Sequence, residues 1–296
     1  MARKRGRVSL VGAGPGDPGL LTLKALDRIE RADVLVYDRL VSKEVLDLVP
    51  GKVERVYGGK DPGTDSDAEQ RKLNELMLSR AKEGKWVVRL KGGDPFLFSR
   101  GGEEAEFLAG RGVEFEVVPG VSSALAVPAY AGVPLTHREH SSSVAIVTGR
   151  ESDLRGKTRE DWSRALRGTE TVVILMGAAR VGELARRLLE SGRGPSTLVA
   201  ATTWGTTGRQ RTVLLTLGEA ASGSGVAKEI SAPCVIVVGS VASLAQRLGW
   251  RGAPARASEG FLAATREDAS RATGAAPGRS ARRPGSRTPR SNPRRT

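Results

Sequence analysis

Cysteine, histidine and aromatic residues are all scarce in this 296-residue chain, which has one cysteine, two histidines and 4% aromatics. The single thiol, Cys234, excludes an internal disulfide. Its place in the apolar run Cys234 to Val238 marks it as a small core residue rather than a nucleophile. No apolar stretch approaches the roughly 20 residues that span a bilayer, and Met1 to Arg5 leads into a strand rather than a signal sequence. These absences argue against membrane and secreted classes and predict a cytoplasmic protein.

Acidic charge is also in deficit, and the net charge of +14 first suggests a nucleic-acid partner. Its location argues otherwise. Residues 251–296 hold 11 arginines against Glu259, Glu267 and Asp268, and Arg3, Lys4, Arg5 and Arg7 add four more cations, leaving residues 8–250 nearly neutral. A nucleic-acid binder carries its cations on a folded face. The last segment is rich in Ala, Gly, Ser, Pro and Arg, with Phe261 and Leu262 as its large apolar residues, so residues 251–296 read as a disordered basic tail.

What the chain does have is a repeated grammar of buried strand, glycine turn and helix. Val8–Val11, Val34–Tyr37, Val53–Tyr57, Trp86–Leu90 and Phe115–Val118 read as strands alternating with helical stretches, which predicts a parallel sheet covered on both faces. A second series, Val144–Val147, Thr171–Leu175, Thr197–Thr202, Arg211–Leu215 and Cys234–Val238, lacks a long helix before its last strand, so this sheet is expected to be mixed. A helix is also predicted at Asp161–Arg167, and Pro134 to Ser142 reads as the hinge. The domains are thus 7–138 and 139–250.

Two turns carry the chemistry. Gly12-Ala13-Gly14-Pro15-Gly16-Asp17-Pro18-Gly19 follows the first strand, and Gly92-Gly93-Asp94-Pro95 follows the fourth. Parallel sheets bind ligands beyond their carboxyl ends, and glycines there let backbone approach a ligand closely. A dinucleotide fingerprint needs a third glycine where this chain has Asp17 and tolerates no Pro15, although Asp38 mimics the ribose-binding acid. A nicotinamide-dependent oxidoreductase therefore ranks second.

The segments VGAGPGDPGLLTLKAL, VYDRLVS, RLKGGDPFLFSRGGEE, VVPGVSSA, AYAGVPLTHR, LMG and GRQR, between Arg7 and Trp250, resemble the uroporphyrinogen-III C-methyltransferase family. The resemblance implies a two-domain α/β fold with a cleft between the domains, and a homodimer. It also implies S-adenosylmethionine as methyl donor and two methylations of uroporphyrinogen III, at C-2 and C-7, giving precorrin-2 for sirohaem or cobalamin, with no metal. The macrocycle carbon is itself the nucleophile, so no Ser-His-Asp or Cys-His grouping is needed. By resemblance, Pro15, Gly92, Gly93, Asp94, Leu97, Ser122, Ser123, Met176 and Gly205 hold the donor, while Asp38 accepts and Lys60 donates a proton. Taken singly, Met176 reads as core, Ser122 and Ser123 as helix caps, and Asp38 as an ion-pair partner of Arg39 or Lys43.

An octacarboxylate substrate needs cations, and Arg39, Arg89, Lys91, Arg100 and Arg138 lie in or beside these motifs, with Glu103, Glu104 and Asp94 as competing partners. The sequence departs from the family at Ser99, Arg150 and Leu175. A methylase of a later precorrin is the nearest alternative. The methylase motif begins close to the amino end, so a fused dehydrogenase and chelatase module is not expected.

Overall fold

The computed structural model describes residues 6–59, 66–149, 166–223, 225–251 and 254–274. Lys60, Arg150, most of the helix expected at Asp161–Arg167, the charged residues Arg3, Lys4 and Arg5, and the chain beyond 274 lie outside the described residues.

The first sheet contains β1 (Arg7–Gly12), β2 (Val34–Tyr37), β3 (Glu54–Tyr57), β4 (Trp86–Lys91) and β5 (Glu114–Val118), in the order β3-β2-β4-β1-β5 with every pair parallel. Parallel neighbours require crossovers, and these contain α1 (Leu23–Arg31), α2 (Lys43–Leu46), α3 (Ser66–Lys82) and α4 (Gly101–Ala109). Thr22 starts α1, its hydroxyl accepting from the Ala25 N–H at 3.1 Å. Side chains alternate along β4: Val88 and Leu90 pack with Ala25 and Ile29 of α1, while Val87 packs with Met77 of α3 and Leu108 of α4. Arg89 and Lys91 share the Val87 face, so the register sends two cations under α3 and α4.

The second sheet is mixed, as expected. It runs β11-β9-β8-β10-β7-β6, with β6 (Val144–Thr148), β7 (Thr171–Leu175), β8 (Leu198–Thr203), β9 (Arg211–Thr216), β10 (Cys234–Val238) and β11 (Arg256–Ala257). The two outer pairs are parallel and the three inner ones antiparallel. One face packs on α6 (Val181–Glu190) and α7 (Leu217–Ser222), the latter opened by a capping box in which Thr216 and Glu219 bond each other's backbone N–H. Cys234 is buried among these core residues, and burial pushes its thiol up to about 12, which suits an inert packing residue.

Two expectations are corrected. Helix α5 (Ser123–Tyr130) does not close the first sheet. Its Ala124 and Val127 pack against Val173, Leu175 and Val235, and the following Ala131 and Val133 pack against Leu198, Leu214 and Val237. The chain changes sheets near Gly120–Ser122, before the expected hinge at Pro134–Ser142. An apolar helical stripe cannot specify which of two sheets it will cover.

The second correction concerns the carboxyl-terminal segment. β11 joins β9, and α8 (Ala245–Leu248) is followed by α9 (Glu259–Gly274), whose Phe261 is 0% exposed and packs with Ala264, Leu214, Val237, Val241 and Ala245. Ser258 caps this helix, accepting from the Phe261 N–H at 3.0 Å while donating to Glu219 at 2.6 Å. The disorder expected from residue 251 onward is overturned for 254–274. Poor composition suffices there because the sheet face that Phe261 covers is already built.

Among the described residues no helix is long and apolar enough to cross a membrane.

Candidate active site

Strands β4, β1 and β5 are adjacent, so the loops leaving their carboxyl ends are neighbours, and their backbones are joined directly. Gly14 donates to the Gly93 carbonyl at 3.2 Å and Gly93 donates to the Gly14 carbonyl at 2.7 Å. A Cβ on Gly12 would lie 2.6 Å from the Gly120 Cα, and one on Gly120 would lie 2.4 Å from the Gly93 oxygen, so no larger residue fits either position. Gly93 also has φ +70°, the left-handed region. The Asp94 carboxylate staples this platform, one oxygen accepting from the Phe96 N–H at 2.8 Å and the other from the Gly120 N–H at 3.1 Å. Ser122 is buried and caps α5 through the Ala124 N–H at 3.2 Å, with the partly exposed Ser123 beside it.

The second domain meets this platform edge on. Leu97 packs on the cluster of Ala124, Val127 and Leu175, and Met176 follows β7 directly. A Cβ on Gly205 would strike Val127 at 2.3 Å, and one on Gly16 would lie 2.9 Å from Thr207. Asp17 closes the seam. It accepts from the Gly19 N–H at 2.8 Å, from the Tyr130 hydroxyl at 3.0 Å and from Arg251 at 2.8 Å, and its N–H donates to Thr206 at 3.3 Å. Burial raises this carboxyl, but the bonds from Gly19, Tyr130 and Arg251 prevail and hold it below its ordinary value. The non-glycine residues with left-handed backbone among those described are Phe98, Arg100, Met176, Trp204 and Thr206, all on these loops. Each such residue costs about 1–3 kcal/mol, a strain that gathers at ligand sites. Leu40, Phe96, Phe98 and Met176 are exposed there, giving an apolar rim.

Asp38 lies one residue past β2, its N–H donating to the Leu90 carbonyl at 3.3 Å. Its carboxylate accepts from Arg89 at 2.5 Å. Arg89 is 2% exposed and also donates to Glu104 at 3.2 Å; Lys91, 1% exposed, reaches both Glu104 oxygens at 2.9 and 3.0 Å. Gln70 adds a bond to Glu104 at 3.0 Å. Burial raises Glu104, but the charges of Arg89 and Lys91 and the bonds from Lys91 and Gln70 hold it below its ordinary value. Burial and the neighbouring Arg89 lower Lys91, with Glu104 opposing them. This chain of charges holds the partly exposed Asp38 carboxylate through Arg89.

The tetrapyrrole (corrin/porphyrin) methylases match residues 7–221. The chain belongs to this family. It is 47% identical over 249 residues to an S-adenosyl-L-methionine-dependent uroporphyrinogen III methyltransferase of Methanosarcina barkeri, covering 84% of this chain and 97% of that protein. It is also 47% identical over 246 residues to a siroheme synthase of Yersinia pestis, covering 83% of this chain. This chain spans about half the length of the siroheme synthases it matches, 51% for that one. A Thermus thermophilus uroporphyrin-III C-methyl transferase, solved with S-adenyl homocysteine, superposes with TM-score 0.68 at 42% identity, covering 79% of this chain and 92% of that one.

In this tetrapyrrole methylase Gly93 lies against Ser122 and Ser123, Asp94 bonds the Gly120 N–H, Leu97 packs on the cluster that contains Val127 of α5, and Gly205 lies against Val127, while Pro15, Gly92 and Met176 stand on the loops after β1, β4 and β7. The cations divide. Arg89 and Lys91, read from sequence as substrate contacts, are corrected to buried members of the Glu104 network, because the register of β4 turns both side chains under α3 and α4. Asp38 correspondingly pairs with Arg89, not with Arg39 or Lys43, the latter bonding Asp47 at 2.6 Å. Arg100 pairs with Glu103 at 2.5 Å and Asp67 at 3.0 Å. Arg39 is exposed beside Asp38. Arg138 is exposed too, but its turn sits by Thr171 at the start of β7, the opposite edge from Met176. The Ser99 hydroxyl bonds the Pro95 carbonyl, which absorbs that departure from the family within the loop. Sequence reasoning missed the roles of Asp17, Gln70, Tyr130 and Thr206; only Asp17 carried a signal, through its place in the Gly-Asp-Pro turn.

Proposed function

We propose that this chain transfers methyl groups from S-adenosylmethionine to C-2 and C-7 of uroporphyrinogen III, giving precorrin-2, as a cytoplasmic homodimer. The observation that carries this reading is the Gly14–Gly93 backbone bridge, welded to Gly120 and set against the Met176 and Gly205 edge of the second domain. Gly12, Gly93 and Gly120 let the three loop backbones pack directly on one another, a rigid edge that suits close approach of an extended ligand with an adenine, a ribose and an amino-acid end. Pro15, Gly92, Gly93, Asp94, Leu97, Ser122, Ser123, Met176 and Gly205 would hold the methyl donor, with Asp94 acting through the loop it staples. When bound, the donor supplies an electrophilic methyl sulfonium.

The chain's own task is mainly orientation. Placing two reactants in line is worth about 7–11 kcal/mol in the best cases, and a platform built of interlocked backbone is rigid enough to contribute much of it. The exposed Leu40, Phe96, Phe98 and Met176 offer apolar contact to a macrocycle, and Arg39 offers a fork for a peripheral carboxylate. Asp38, held by Arg89, would receive the proton that the methylated carbon releases, and Lys60 would donate one. The deciding experiment incubates purified protein with S-adenosylmethionine and uroporphyrinogen III and weighs the product. A gain of two methyl groups supports the reading. No methylation, with turnover of a later precorrin instead, would replace it, and tighter binding of NAD than of S-adenosylhomocysteine would overturn the methylase chemistry.

A further inference from the structure

We propose that the turn from His137 to Ser141 is a divalent transition-metal site, with His137, Glu139 and His140 as its protein ligands and Zn2+ or Ni2+ as the fitting ions. The chain has two histidines in 296 residues, and both stand in this turn. Their ring centroids are 4.9 Å apart and tilted by 54°, and the ligand atoms of the three side chains all lie within 4.8 Å of one another. Two imidazoles and a carboxylate form a donor set that zinc and nickel accept, with metal–ligand bonds of about 2.0–2.2 Å and open positions left for water. Donors around such an ion sit roughly 3–3.5 Å apart, so modest side-chain rotation closes the present spacing.

The backbone of the turn is already fixed, which removes much of the ordering cost. His137 and Ser141 exchange backbone bonds at 2.9 and 2.8 Å, and the His140 N–H donates to the His137 carbonyl at 3.0 Å. From outside, the Ser240 hydroxyl donates to the His140 carbonyl at 3.0 Å and the Thr171 hydroxyl donates to the Ser141 hydroxyl at 2.7 Å. Glu170, bonded by the Ser142 hydroxyl at 2.9 Å, adds negative charge beside the turn. His137 Nδ1 accepts the Glu139 N–H at 3.2 Å, a long bond that a metal can displace. The His140 ring and the Glu139 carboxylate have no hydrogen bond among the described residues, so both are available. The exposed Arg138 is the opposing charge, free to turn into solvent.

This site is separate from the seam. Thr171 starts β7 and Met176 follows its end; at roughly 3.3 Å per residue the two edges are about 16 Å apart. A metal there acts as a structural clip on the segment between α5 and β6.

The test uses the full, tag-free chain, stripped with a chelator and titrated by calorimetry with Zn2+ and, separately, Ni2+. One ion per chain is expected, with affinity reduced at least tenfold in His140→Ala and in Glu139→Gln, and a metal-dependent rise in Tm that both variants lose. Absence of binding by the wild type, or equal affinity in Glu139→Gln and the wild type, overturns the site. Should His140→Ala fail to fold, Glu139→Gln at an exposed position decides alone.

Discussion

Replacing Glu104 by Gln preserves side-chain shape and removes the one negative charge that lies between Arg89 and Lys91. Both cations are then buried with Asp38 as their nearest remaining counter-charge, at the far end of Arg89. Breaking a buried ion pair by removing one partner costs about 3–5 kcal/mol. Lys91 limits the loss, because it can shed its proton: for a lysine of ordinary pKa near 10.4, giving up that proton at pH 7 costs about 4.6 kcal/mol, and at pH 9 about 1.9 kcal/mol. The sign follows from proton counts. In the variant the folded pKa of Lys91 lies below the unfolded value near 10.4, and between the two the unfolded state binds more protons, so stability rises with pH. The wild type adds an acid limb: Glu104 is depressed in the folded state, so its contribution is present above about pH 4.3 and is lost as pH falls through the lower folded value. Urea denaturation at pH 7 and pH 9 measures both effects. We expect a loss of about 3–5 kcal/mol at pH 7 that shrinks by up to about 2.7 kcal/mol at pH 9. A loss under about 1 kcal/mol at pH 7, or one that grows between pH 7 and 9, refutes the buried network as drawn.

Asp38→Asn keeps the Arg89 contact in shape and loses the basicity; turnover should fall more than about tenfold with S-adenosylhomocysteine affinity little changed, as read by single-turnover kinetics and calorimetry. Gly93→Val forces a β-branched residue to φ +70° and should weaken S-adenosylhomocysteine binding at a cost of about 1–3 kcal/mol in stability; unchanged affinity removes that loop from the site. Phe261→Ala should cost about 3–5 kcal/mol in urea denaturation, and a chain ending at 250 should lose stability where one ending at 274 does not; equal stability of all three would detach α9 from the core.

Local chemistry made much of this protein legible from sequence. The β-branched runs of both sheets and the glycine turns after β1 and β4 were readable because each needs only its neighbours along the chain: alternation, and a backbone that rejects a Cβ. The motif order pointed to the family for the same reason. Other features depend on which surface a residue meets, and that is a property of the assembled fold. Arg89 and Lys91 read as ligands for carboxylates until the register of β4 turned them under α3 and α4, where Glu104 receives them. Helix α5 carried an apolar stripe that fitted either sheet, and the second sheet took it. Phe261 looked too isolated to order a basic tail, yet it closes a core whose members range from Ala131 to Ala245. Asp17, Tyr130 and Arg251 become one clamp only when the two domains meet, because hydrogen bonds between residues so distant in sequence leave no period or spacing for a reader of the chain to find.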